Sequence, residues 1–220
     1  MTGPSMSVSD AVEQRMSVRA FLPDPVPEAV VRDILDRARR APSGGNVQPW
    51  RVDALAGAPL DELRMRVAEK LAGGTEPPEY EVYPRNLWEP HRGYRYKTGE
   101  DMYGLLGVGR DDKLGRMAQF ARNFSFFGAP AALFFSFDRR MGPPQWSDVG
   151  MYMQTVMLLA VERGYGTCAQ ECWSAFPATL RAFLGHDDDR LLFSGMALGR
   201  RDPSRPVNRL RTDRAPLDAF

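Results

Sequence analysis

Arg15-Met16-Ser17-Val18-Arg19 sets two guanidinium groups on either side of a hydroxyl. Arginine presents a planar fork of donors matched to phosphate oxygens, so this run could cradle a phosphate. It follows a short predicted helix, where arginines can also complement the helix dipole or extend into solvent. A second run is Ala41-Pro42-Ser43-Gly44-Gly45-Asn46-Val47-Gln48-Pro49-Trp50. Its small residues let backbone approach a flat ligand closely, and Ser43 and Asn46 add donors and acceptors. The same residues would equally make an ordinary connection from helix to strand.

Other chemistries find less support. Cys168 and Cys172 are the two cysteines, too few for a disulfide framework. Their spacing is not that of a C-x-x-C redox pair, and small core residues are the better reading. The two histidines, His91 and His186, lie far apart and give no metal-ligand spacing. His91 sits among aromatics and arginines, where it could touch a substrate or simply be solvated. A net charge of +1 predicts no nucleic-acid partner. Only Lys70, Lys97 and Lys113 are lysines among 29 basic residues, a bias that base composition of the genome can produce. No apolar run is long enough to predict a membrane span. The opening MTGPSMSVSD lacks a signal peptide's basic and apolar regions, so a cytoplasmic protein with reduced thiols is expected.

The elements that must position these runs can be read in outline. A chain of 220 residues with 43% hydrophobic content predicts a single domain over residues 1–220. Asp10 and Glu13 suggest an N-cap pair opening a helix to about Met16. PDPVP breaks the chain, and Pro27 suits the first turn of a second helix with Val30, Val31, Ile34, Leu35 and Ala38 on one face. Trp50 to Leu55 reads as a strand, and Leu60, Leu63, Val67 and Leu71 mark a third helix ending at Gly73-Gly74. Residues 75–112 show no clean period and are rich in Pro, Gly and aromatics. A loop this long with such content is expected to pack over something. A helix over Asp112 to Phe124 follows, then the apolar run Ala131 to Phe137, predicted as a buried strand. Ser147 or Asp148 opens a long apolar helix that Gly164 stops. Thr167 to Glu171 is a short strand, Pro177 to Leu184 a helix, and Leu191 to Leu198 a central strand. The last twenty residues are polar and rich in arginine.

R-x-S-x-R followed by A-P-S-x-x-N-x-Q-P-W resembles the FMN-dependent nitroreductase family. Two further segments are similar to that family in the same order. Gly164-Tyr165-Gly166-Thr167-Cys168-Ala169-Gln170-Glu171 is similar to its strand beside the flavin ring. Gly195-Met196-Ala197-Leu198-Gly199, with Pro206-Val207-Asn208-Arg209-Leu210-Arg211, is similar to its last core strand and basic phosphate-binding tail. The resemblance covers most of the chain except residues 75–112.

The resemblance implies an α+β, nitroreductase-like fold: a mainly antiparallel central sheet wrapped by helices, in an intertwined homodimer with FMN at the interface. Residues 200–220 would form a C-terminal dimer arm. Arg15, Ser17 and Arg19 would contact FMN, Arg15 nearer the phosphate and Arg19 nearer the N1/C2-carbonyl edge. Met16 stands where the family often has a basic residue, so only its backbone is carried over. Pro42, Ser43, Gly44 and Asn46 would reach the flavin of the opposite subunit. The backbone N–H around Gln170 and Glu171 would donate toward flavin N5, with Ala169 in place of a frequent proline. Arg209 and Arg211 would close the phosphate site. The implied activity is ping-pong, two-electron reduction of small planar nitroaromatic or quinone-type acceptors, with NADH or NADPH as co-substrate. Reductive dehalogenation, consumption of the flavin, and flavin binding without turnover remain alternatives. Residues 75–112 are expected either to form a lid or to cover the dimer surface. As a lid they would offer Trp88 and Tyr94 for stacking and Arg85, Arg92 or Arg95 for a carboxylate or nitro group.

Overall fold

Residues 6–219 are described in the computed structural model, so the first residues of the leader expectation and Phe220 of the expected arm lie outside the described residues. Strand β2 (Ala131–Asp138) is the apolar run AALFFSFD, buried through Phe137. It pairs antiparallel with β1 (Arg51–Ala56) on one side and with β4 (Arg190–Gly199) on the other. Strand β3 (Gly166–Gln170) pairs antiparallel with β4, giving the order β1-β2-β4-β3. Alternate residues of β2 face opposite sides of the sheet. Leu133, Phe135 and Phe137 enter one core with Ile34 and Val156, and Ala132 and Phe134 enter the other with Leu63 and Trp173. Burial on both faces explains why β2 reads as continuous apolar sequence rather than as alternation.

Helices α2 (Glu28–Ala38) and α6 (Pro143–Glu162) supply the first core, and α3 (Ala58–Leu71) and α7 (Pro177–Leu184) the second. Helix α1 (Val8–Gln14) is capped by Ser7, whose hydroxyl accepts from the Asp10 N–H at 3.1 Å. The capping pair is therefore Ser7 with Asp10, three residues upstream of the Asp10 and Glu13 expected. Helix α6 begins at Pro143, before Ser147, because Gly142 leaves its N–H to Gln145 Oε1 at 3.1 Å and proline suits the first helical turn. Helix α5 (Lys113–Ala121) and the 3-10 turns over Arg122–Gly128 share the segment expected to be one helix. Glu171 opens a 3-10 turn over Glu171–Ala175 instead of ending β3.

The largest departure lies in residues 75–112. They contain a four-turn helix, α4 (His91–Leu106), closed by Gly107 in the left-handed region. No residue of α4 is buried, so its sequence carries no apolar stripe to betray it.

Candidate functional site

The Arg15–Arg19 run leaves α1 in extended conformation and lies along the open edge of β3. Ser17 bridges Thr167 in parallel, and the Val18 N–H donates to the Thr167 carbonyl at 2.9 Å. Gly166 permits this approach, since a Cβ there would meet Val18 Cγ2 at 2.5 Å. The buried side chain of Asn208 ties the run to the C-terminal tail. Its Oδ1 accepts from the Arg19 N–H at 2.9 Å, and its Nδ2 donates to the carbonyls of Ala20 and Asp202, each at 2.8 Å. Sequence reasoning assigned Asn208 no role; its place directly before Arg209 in the basic tail was the available signal.

These contacts build one wall of a cleft of roughly 1420 Å³, lined by Arg15, Met16, Ser17 and Arg19. Leu210, Arg211 and Arg214 of the tail form the floor, and His91, Tyr94 and Arg95 face it from α4. Pockets for drug-sized molecules run to about 1,000 Å³, so this cleft has room for a cofactor and a second molecule. Burial first, then the charges of Arg214 and Arg211, hold the Arg15 guanidinium below its ordinary pKa. Three cations are thus drawn together, and Arg15 enters no ion pair among the described residues. Arg211 spends one donor on the Glu13 carbonyl at 3.0 Å. Arg214 was not anticipated from sequence. Arg209 is exposed at the end of the 3-10 turn Pro206–Arg209 and lies outside the cleft lining.

The remaining expected residues are not brought to this cleft within one chain. Gly44 and Asn46 are exposed on a 3-10 turn over Gly44–Asn46, with Gly45 at φ 56°, and Pro42 is exposed just before it. The buried Asp148 carboxylate accepts from the Gly44 N–H at 3.3 Å, and Ser43 Oγ accepts from the Gln48 N–H at 3.0 Å. Those bonds fix a rigid, outward-facing loop. Gln170 is buried, and its amide donates to the Asn123 carbonyl at 2.8 Å. Glu171 is exposed at the far end of β3, and the Cys168 thiol, raised to about 11 first by burial, feels both Glu171 and Arg19.

In the aromatic segment the structure sorts the candidates. Tyr94 and Arg95 line the cleft. Trp88 is exposed beside them, its ring 5.7 Å from that of His91. Arg92 pairs with Glu89 at 2.7 Å and Arg85 with Glu81 at 3.2 Å, both outside the lining.

A single antiparallel sheet covered on both faces, with an arginine-floored cleft beside its outer strand, defines an α+β protein built to hold an anionic ligand. The nitroreductase family model matches residues 12–200, and the chain belongs to that family. It is similar to the crystal structure of an FMN and NADPH-dependent nitroreductase, NfnB, from Sphingopyxis sp. strain HMH. That pair has 47% identity, 97% coverage of both chains and a TM-score of 0.95. It is similar to the FMN-dependent nitroreductase NfnB of Mycobacterium smegmatis in complex with NADPH, at 30% identity, 97% coverage of both chains and a TM-score of 0.91. A 4-nitrobenzoate reductase of Pseudomonas putida is 36% identical over 95% of this chain and 92% of that protein. Together these relatives bear out the expected fold and the expected redox class.

Proposed function

We propose that the protein is a homodimeric, FMN-dependent NAD(P)H oxidoreductase that reduces nitroaromatic or quinone-type acceptors two electrons at a time. The observation that carries this reading is the convergence of Arg15, Arg211 and Arg214 with no carboxylate on Arg15. Such a cluster repels itself unless an anion neutralises it, and a phosphate monoester carries close to two negative charges. The donor set therefore fits FMN. Arg19 would stabilise negative charge that builds at the N1/C2-carbonyl edge of the ring. Ser17 and the backbone of Met16 would hold the ribityl side, and the N–H at Glu171 would donate toward N5. Bound there, FMN supplies hydride acceptance from NADH or NADPH and two-electron delivery to the acceptor.

The dimer reading rests on apolar surface. Val8 and Val12 of α1 and Met151 of α6 are exposed, as are Leu114, Met117 and Phe120 of α5. Burial of these side chains against a second copy is the economical explanation for them. The same association would carry Pro42, Ser43, Gly44 and Asn46 to the partner's flavin. No helix of the described residues is long and apolar enough to cross a membrane.

The test is an anaerobic absorbance spectrum of the purified protein before and after NADH or NADPH. Flavin bands that bleach, and return on adding a quinone or nitroaromatic, are the expected result. Bands that persist would point to flavin binding without turnover, and no uptake of supplied FMN would end the proposal. Arg15→Gln removes a charge-assisted contact worth about 1.5–3 kcal/mol, so FMN affinity should fall roughly 10- to 100-fold. The variant should keep its unfolding temperature without cofactor.

A further inference from the structure

All but one of the lysines and arginines that line the cleft fall into three groups. Lys97 is held between Asp101 at 2.6 Å and Asp213 at 3.1 Å. Arg15, Arg211 and Arg214 gather at the tail, where one phosphate accounts for them. Arg19 is tied by its own backbone to Asn208 beside β3. Arg95 belongs to none of these groups. It enters no ion pair among the described residues, and its guanidinium lies 4.3 Å over the ring of Tyr83. Stacking of this kind fixes the plane of the guanidinium while its N–H edge stays free to donate.

The neighbours make that edge selective. Tyr83, Leu87, His91 and Tyr94 line the same end of the cleft. The other arginines of residues 75–112 are placed differently. Arg85 and Arg92 are neutralised by glutamates, and Arg110 lies 5.6 Å over Tyr96, outside the lining. One oriented donor fork beside aromatic side chains is the complement of a planar ring that bears an anionic oxygen group.

We propose that Arg95 is the specificity residue for the molecule entering the outer cleft, selecting occupants that carry a carboxylate or a phosphate monoester. Two sources share that chemistry: an aromatic acid as electron acceptor, and the ribose phosphate that distinguishes NADPH from NADH. The inference rests on the oxidoreductase reading above only for what happens after binding. Arg95 acts by ground-state recognition, so its loss should raise KM and leave kcat little altered.

The test compares wild-type holoenzyme with Arg95→Gln and Arg95→Lys against matched pairs of probes. The first pair is 4-nitrobenzoate and nitrobenzene; the second is NADPH and NADH. Titration calorimetry without reductant reads binding of the first pair, and steady-state KM values read both. Wild type should prefer 4-nitrobenzoate over nitrobenzene, or NADPH, with its additional phosphate monoester, over NADH. Arg95→Gln should reduce that preference about tenfold, the effect of losing one charge-assisted hydrogen bond. Arg95→Lys should retain part of it. A loss confined to the first pair assigns the acceptor as the source, and a loss confined to the second assigns the nucleotide. A wild type with no preference in either pair overturns the proposal, as does an Arg95→Gln protein with both preferences intact. Loss of bound FMN from Arg95→Gln would also overturn it, because Arg95 would then belong to the flavin phosphate site. A protein that binds 4-nitrobenzoate through Arg95 but never bleaches would sink the oxidoreductase reading alone.

Discussion

In strand β2 every residue from Ala131 to Phe137 is buried, whereas helix α4, from His91 to Leu106, has no buried residue at all. The strand is held from both faces. Phe134 meets Trp173 edge-on at 5.3 Å, and Phe126 stacks on the same indole at 4.4 Å. The helix is held by charge at its rims. Glu100 takes two donors from Arg116 at 2.6 and 3.1 Å, and Lys97 reaches the tail at Asp213. The exposed Lys97–Asp213 pair is weak and screened by salt, the half-buried Glu100–Arg116 pair is screened less, and buried apolar contacts are not screened at all. The sheet fixes the positions of Ser17 and Arg19, and ion pairs tie α4 to α5 and to the tail beside the cleft.

The largest effect should come from the sheet side. Trp173 is fully buried between Phe126, Phe134 and Phe124, and Trp173→Ala should cost about 3–5 kcal/mol by leaving a cavity. Thermal or urea unfolding would check it; a loss below about 1 kcal/mol would mean the second core collapses freely around the gap.

An intermediate effect is expected where the aromatic segment is anchored to the sheet-bound helices. The Glu76 carboxylate accepts from the N–H groups of Ala178 at 2.8 Å and Thr179 at 3.1 Å, capping α7 from a distant part of the chain. Burial raises its pKa, but the bonds from Thr179, Lys70 and Ala178 outweigh that and leave it lowered. A lowered carboxylate pKa stabilises the fold above its unfolded value, and that contribution is lost as pH falls through the folded value. Glu76→Gln should cost about 1 kcal/mol, or about 2–4 °C in Tm, at neutral pH. The gap between wild type and variant should narrow as pH drops below the usual carboxylate range. A constant gap down to pH 3 would show that shape, and not charge, holds the anchor.

The smallest effect on stability is expected from Trp88→Ala and Tyr94→Ala. Both side chains are about half exposed, so Tm and FMN content should change little. The ratio of kcat/KM between quinone and nitroaromatic acceptors should change instead. Unchanged ratios would favour a segment that merely covers the dimer surface.

The same contrast decides what could be read from residue order. The apolar runs at 131–137 and 191–198 declared strands because burial on both faces favours apolar side chains at nearly every position, with Ser136 and Ser194 as the buried polar exceptions. Arg15, Ser17, Arg19 and Arg211, which the structure brings to one cleft, could be picked out as a set of donors because donors for an anion must be written into the chain as particular residue types. Helix α4 was not legible, since a helix that buries nothing within its own chain shows no stripe. Nor were Arg214 and Asn208, whose roles depend on the tail returning to α1 and to the Arg19 backbone across nearly the whole chain.

The motifs that resemble the nitroreductase family thus carried the family and, through that resemblance, the fold class and the FMN chemistry. Only the tertiary structure decided which arginines converge, which are neutralised by a neighbouring glutamate, and which one remains free over Tyr83. Charge pairing depends on distances between side chains remote in sequence, and those distances exist only once the chain has closed.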